Sequence, residues 1–503
     1  MSVIHHSARR WLLAVCLSLQ CVQALAADRF DSARQFIREQ MVLGSQPSIA
    51  VTVTQGDRIL WEEGFGWADR ERRIPATEHT LYSLASVSKP MTTTAVMKLV
   101  EAGRVSLDQP INDYLGEAKL RARIGDVREA TVRRLANHTS GLPTYAEFLF
   151  SNQPHPETST DELILRYGEL LTPPAEKYIY SNLGYTTLAY MVERVSGLSF
   201  ADYMRREIFL PLGMTHSSVG IEPSLAASVA VSYGKDGRAL PVIDFPHPGA
   251  TGIYASAHDL ARFGQFHLKL HRRDQQRILS DAAIDAMHRP TVDLPLSVNS
   301  QRRRAGLDRL GYGIGFFTSD RQGHRMVWHS GGQPGVNAQL QTFPDDGLVV
   351  VVLGNSADPL PSAIADRIVD ILLPKRKSTG GTAPATAASV GTPQPFLGTW
   401  TGTLFTYAKP MPVQLTFLAD GHVLAKLGGQ REVVVEDRSF LNGVFEGAFA
   451  GRIETPDALR YEHEISLDLT LRGNELNGAA CAGGVGSGAR DALTHWISLT
   501  RAD

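Results

Sequence analysis

The chain has 503 residues, of which 43% are hydrophobic, 8% aromatic and 20% charged, a composition that builds a large core and excludes a disordered or collagen-like polymer. That length exceeds one ordinary domain and allows two or three. With 50 basic against 52 acidic residues, nothing electrostatic favours nucleic acid or an anionic membrane as partner.

At the N-terminus, Arg9 and Arg10 precede an apolar stretch from Trp11 to about Val22, and Ala24-Leu25-Ala26 supplies a small-x-small cleavage signal. This pattern predicts a secretory signal peptide over residues 1–26 and an exported, periplasmic or secreted, mature chain. The stretch is shorter than the roughly 20 residues that span a bilayer, so no transmembrane anchor is expected. Val15 before Cys16 and Gln20 before Cys21 also lack the small residue that lipoprotein anchoring needs. Cleavage removes two cysteines and two positive charges, taking the formal net charge from −2 to −4. Cys481 is then alone, and the fold must stand on its core.

Along the mature chain, an opening helix leads to Ser48 to Thr54 with β-branched alternation, a Gly56-Asp57 turn, and a returning strand from Arg58 to Trp67. From Leu84 the pattern turns helical, with segments Asp161 to Leu171, Leu183 to Val195 and Ser256 to Leu268, the last opened by Ser256 and Asp259 as a capping box. Strands return at Gly311 to Phe316, Met326 to His329, Asn337 to Phe343 and Leu348 to Leu353, the last apolar enough to be buried on both faces. Strands at both ends with helices between predict an α/β (α+β) region, 27–373, whose antiparallel sheet joins the two ends and carries a helical insertion. Residues 374–395, rich in Thr, Ala, Gly, Ser and Pro, read as a flexible linker. Residues 396–503 alternate apolar and polar from Val413 to Phe417, turn at Asp420-Gly421 and alternate again from His422 to Leu427, predicting an all-β barrel. The barrel's opening Gly398-Thr399-Trp400 resembles the start of small lipocalin-like barrels.

Serine is a weak nucleophile until a neighbour takes its proton, and a lysine one helical turn away is well placed to do so. Ser86-Val87-Ser88-Lys89 offers that spacing, because i and i+3 side chains share one helix face. Ala95, Val96, Leu99 and Val100 give the helix an apolar stripe, and Gly103 ends it. Chance produces such a pattern too: Ser232-Tyr233-Gly234-Lys235 repeats it, but Asp236-Gly237 puts that copy in a turn, where i and i+3 diverge.

Downstream, in order, stand Tyr180-Ser181-Asn182 before a helix and His329-Ser330-Gly331-Gly332 at a strand end. With Ser86-x-x-Lys89 these resemble the three signature elements of the serine β-lactamase and penicillin-binding protein superfamily, in its class C-like branch, which also holds D-aminopeptidases and β-lactamase-like esterases. His138-Thr139-Ser140-Gly141-Leu142-Pro143, Pro211-Leu212-Gly213-Met214, Thr251-Gly252-Ile253-Tyr254 and Gly311-Tyr312-Gly313-Ile314-Gly315 add to the resemblance, which runs from about Phe30 to Leu373. It implies Ser86 as acylating nucleophile, Lys89 as the amine that helps deprotonate it, and Tyr180 as second proton carrier, its pKa lowered by the Lys89 ammonium. It also implies Asn182 bonding Lys89 and a substrate amide, and an oxyanion hole made of the Ser86 and Gly332 backbone N–H groups. Gly331 and Gly332 would let a substrate lie close to the strand.

Each residue also has a blander reading: Tyr180 as a core tyrosine, Asn182 as a helix cap, His329 as a satisfied strand histidine, and His138 to Pro143 as a supporting turn. The joint order of the three elements favours the site. His329 stands where β-lactamases of this branch carry lysine. A mostly neutral imidazole binds a β-lactam or D-Ala carboxylate less firmly than an ammonium, shifting the expectation toward a small ester, amide or peptide, cell-wall fragments included. The alternatives are a penicillin- or peptidoglycan-binding protein with little turnover, and a true class C-like β-lactamase. No Gly-x-Ser-x-Gly elbow, His-Glu-x-x-His, Cys-x-x-Cys or phosphate loop is present, so no metal or other cofactor is expected. Oligomeric state is left open.

Overall fold

The computed structural model describes residues 29–44, 46–154, 158–244, 248–294, 307–376, 394–460, 463–484 and 492–502. The signal peptide expected at 1–26 and residues 377–393 of the expected linker lie outside the described residues.

The β-branched run Ser48–Gln55 forms a strand that turns at Gly56, φ +59°, into Arg58–Asp69. This hairpin completes a sheet begun from the far end of the sequence: Ser48–Gln55 pairs antiparallel with Leu348–Gly354. Moving outward from there come Val336–Phe343, His324–Gln333, Phe317–Arg321, Leu307–Tyr312 and Val292–Asp293, while Ile74–Pro75 closes the other edge. The expected meeting of the chain's two ends in one antiparallel sheet is therefore present.

Side chains alternate across its central strands, as the pleat requires. Val51, Val53, Val350 and Val352 face one apolar layer, shared with the helix Leu360–Leu372, and Ala50, Val349, Val351 and Leu353 face another. The helix Ala257–His267 packs on that second face, where a Cβ on Gly264 would lie 2.6 Å from Val349. Leu348–Gly354 is thus buried throughout, as its unbroken apolar run predicts.

Three expectations are corrected. The run Gly311 to Phe316 is not one strand. Leu307–Tyr312 ends, the chain bends, and Phe317–Arg321 returns, because Gly315 adopts φ +84° with Thr93 Oγ1 where a Cβ would stand, 2.0 Å away. The helix expected to reach Leu171 stops at Tyr167, and Glu169–Leu170 pairs instead with Arg121–Ala122. Ser256 does cap its helix, accepting from the Asp259 N–H at 3.1 Å. The Asp259 carboxylate does not return the bond: it accepts from the His216 N–H at 2.6 Å and the Ser217 hydroxyl at 2.9 Å.

Toward the C-terminus, residues 398–501 form a nearly closed nine-stranded antiparallel sheet, with Trp400, Leu415, Phe445 and Leu469 in its interior. Among the described residues Cys481 is a free thiol, and no described helix is long and apolar enough to cross a membrane.

Candidate active site

Ser86 lies in a short 3-10 turn, Ala85–Val87, that runs directly into the helix Ser88–Glu101. Ala85 before it takes φ +45°, a conformation costly for a residue with a Cβ. The turn sits against the strand His324–Gln333: a Cβ on Gly331 would lie 2.1 Å from the Leu84 carbonyl oxygen and 3.1 Å from the Ser86 nitrogen. Only glycine permits that approach. A Cβ on Gly332, next along, would meet nothing within 4 Å, so open space for a substrate lies beside it.

Lys89 is fully buried. Its Nζ lies 3.1 Å from Ser86 Oγ, 2.7 Å from Asn182 Oδ1 and 3.1 Å from the Ala250 carbonyl oxygen. All three are uncharged, and burial holds the Lys89 pKa well below the ordinary lysine value. A neutral amine has two hydrogens and one lone pair, which suits two acceptors, Asn182 Oδ1 and the Ala250 carbonyl, and one hydroxyl donor, Ser86. The arrangement can accept the serine proton.

Tyr180 places its ring 4.6 Å, centroid to atom, from Lys89 Nζ. Ser181 caps the helix Asn182–Ser196, accepting from the Gly184 N–H at 3.0 Å, and this leaves the Asn182 side chain free to bridge. Its Oδ1 faces Lys89 and its Nδ2 donates to the Tyr145 carbonyl at 2.7 Å. Asn182 is therefore not the cap.

His329 is 1% exposed. Its Nδ1 is 2.7 Å from the Ser330 carbonyl, which fixes a proton on that nitrogen, and its Nε2 is 3.3 Å from the Tyr312 hydroxyl. Both ring nitrogens thus have partners within the protein. Ser330 is partly exposed on the same strand.

From sequence alone His138 belongs to a supporting turn. In the structure it adopts φ +63°, accepts the Ser181 N–H on Nδ1 at 3.0 Å, and sets its ring 4.4 Å from that of Tyr180. Its pKa lies well below the usual value through burial and the nearby Lys89 and His329, so it stays neutral with its proton on Nε2, which has no partner among the described residues. A left-handed histidine is an unusual feature, but single-residue φ is not readable from sequence pattern. The Ala250 carbonyl left no signal either, since any residue carries one. Lys235 of the second Ser-x-x-Lys copy is exposed, in a turn where the Gly234 N–H bonds the Arg238 carbonyl at 2.8 Å.

Sheet, helices and this serine-lysine-asparagine cluster together define the β-lactamase/transpeptidase-like class. The chain belongs to the Beta-lactamase family, whose model matches residues 33–374. It is 27% identical to penicillin-binding protein 4* of Bacillus subtilis, over 61% of this chain and 68% of that protein. Among solved structures, an octameric penicillin-binding protein homologue from Pyrococcus abyssi superposes with a TM-score of 0.60 at 24% identity, covering 89% of this chain and 97% of that one. SurE superposes with a TM-score of 0.64 at 21% identity, covering 95% of this chain and 99% of that one, and has also been solved with D-Leu. These last two likenesses concern fold, and their coverage extends into the barrel.

Proposed function

We propose that this chain is an exported serine hydrolase that works through an acyl-enzyme on Ser86. The observation that carries the reading is the buried, uncharged setting of Lys89 beside Ser86 and Asn182. The Lys89 amine takes the Ser86 hydroxyl proton while Oγ forms a bond to the substrate carbonyl carbon. The carbonyl oxygen becomes an oxyanion held by the Ser86 and Gly332 N–H groups. Collapse breaks the bond to the leaving group, which receives a proton through Tyr180, and water then repeats the sequence on the acyl-enzyme. Burial pushes Lys89 toward the amine, so it takes the first proton and Tyr180 acts as relay, a division of labour different from that expected with a Lys89 ammonium.

For substrate, esters and D-peptides are favoured over β-lactams. His329 is buried with both ring nitrogens turned to partners within the protein, so neither is directed at a β-lactam carboxylate as a lysine ammonium would be. The D-Leu bound by a neighbour of the same fold is in keeping with a D-amino-acid substrate. Incubation with a fluorophosphonate probe followed by peptide mapping should label Ser86; a label on Ser232, or none, overturns the mechanism. Turnover of a short-chain p-nitrophenyl ester or a D-amino-acid peptide should exceed that of a chromogenic cephalosporin. A cephalosporin as much the best substrate makes the chain a class C-like β-lactamase, and stoichiometric labelling without turnover makes it a penicillin-binding protein.

A further inference from the structure

Residues 143–147 run between two parts of the molecule that are far apart in sequence. Their backbone makes no regular element beyond a single bridge at Ala146. Every buried carbonyl still needs a donor, and here donors come alternately from the two sides. The Pro143 carbonyl accepts the Ser181 hydroxyl at 2.7 Å. The Thr144 carbonyl accepts the Thr494 hydroxyl of the barrel at 2.7 Å, while Thr144 donates its own hydroxyl to the Tyr180 carbonyl at 2.9 Å. The Tyr145 carbonyl accepts from Asn182 Nδ2 at 2.7 Å. Ala146 and Ala492 exchange backbone bonds of 3.1 and 2.8 Å. Glu147 accepts the Tyr145 hydroxyl at 2.8 Å and pairs with Arg460 of the barrel at 2.6 Å.

The three residues gripped on one side are Tyr180, Ser181 and Asn182. Those gripping on the other belong to the barrel, chiefly its last strand, Ala492–Arg501. We infer that the barrel is a positioning element of the active site: through Thr494, Ala492 and Arg460 it sets residues 143–147, and these set Tyr180 and Asn182 against Lys89 and Ser86. The inference rests on the acyl-enzyme reading above. It assigns the barrel a role within each turnover, distinct from binding a substrate or merely covering the cleft. Thr494 and Arg460 touch no reacting atom and are positioning residues.

The test uses the full chain. Thr494→Val keeps the shape of the side chain and removes the hydroxyl donor. Loss of one oriented hydrogen bond corresponds to about a tenfold change in rate, so fluorophosphonate labelling of Ser86 and kcat on p-nitrophenyl acetate should fall about tenfold with KM unchanged. The pH midpoint of labelling should move to lower pH, because a displaced Asn182 no longer favours the protonated Lys89. Thr494→Ser, which restores the hydroxyl, should recover the rate. Arg460→Gln, freeing Glu147 from the other side, should act in the same direction as Thr494→Val and serves if that variant folds poorly. Arg472→Ala breaks a different barrel contact, with Glu176, and should leave the rate intact. A wild-type rate in both Thr494→Val and Arg460→Gln, or an equal loss in Arg472→Ala, overturns the positioning role alone. No labelling of the wild-type chain overturns the acyl-enzyme reading and this inference with it.

Discussion

Lys89 is buried with Ser86, Asn182 and the Ala250 carbonyl around its amine. Burial disfavours its charged form, so the amine is available as a base at a pH where an exposed lysine would still be an ammonium. Labelling of Ser86 should therefore rise with pH along the loss of one proton, with its midpoint well below the 10.5 of an ordinary lysine. A midpoint at or above that value contradicts the base assignment. Lys89→Arg keeps the charge but cannot give up its proton, and should slow labelling by roughly 10² to 10⁴. At this scale Ser86, Lys89, Tyr180 and Asn182 were all legible, since a three-residue spacing on a helix and a tyrosine two residues before an asparagine at a helix start are local patterns. The competing reading of Asn182 as a cap was settled by Ser181, whose hydroxyl takes that place. His138 was not legible as a neighbour of Tyr180, because its role comes from a backbone turn that brings together residues 42 positions apart.

The elements that carry the site depend on close backbone contact. Gly331 lets the strand His324–Gln333 lie against the Ser86 turn, with a Cβ there only 2.1 Å from the Leu84 oxygen. Gly331→Ala must push strand and turn apart, and misplacement by about 1 Å can cost on the order of 10²-fold in rate. The expected result is such a loss in kcat with the far-UV circular dichroism unchanged; near-wild-type kcat would show that the strand has room to spare. The helices and the central strands followed from periodicity and capping residues. The bend at Gly313 to Phe316 did not, because an apolar run reads as a strand until the helix that fills the space, here through Thr93, is known.

Across the whole molecule, burial of histidines in both the hydrolase region and the barrel ties stability to pH. His267 and His288 lie side by side, with His267 Nε2 3.1 Å from the Thr94 hydroxyl and Nδ1 3.2 Å from His288 Nε2. Burial lowers the pKa of His288 to about 3 and that of His495, in the barrel, to about 4, and holds His138 and His267 well below the usual value. Between those folded values and the unfolded 6.5, the unfolded chain binds more protons, so the contribution of these histidines to stability is full above about pH 6.5 and falls as the pH drops. From His288 alone the loss at pH 5 is about 2 kcal/mol. Glu147 and Asp259, pushed up by burial, and His258, raised by its hydrogen bond to Glu62, oppose this, but they are three against four. Urea midpoints measured at pH 7 and pH 5 should fall at the lower pH, and His288→Gln should flatten the difference. A midpoint that holds or rises on acidification contradicts the expectation.

By itself the sequence determined the sheet that joins the chain's ends, the barrel's alternation, and the choice of Ser86, Lys89, Tyr180 and Asn182 as the candidates that the fold brings together, because these are set by periods of 2 and 3.6 residues and by short motifs. Only the tertiary structure decided the burial that lowers the Lys89 pKa, the enclosure of His329, the place of His138 behind Tyr180 and the link from the barrel through residues 143–147. Burial and hydrogen-bond partners there come from residues distant in the chain, and no local pattern carries that information.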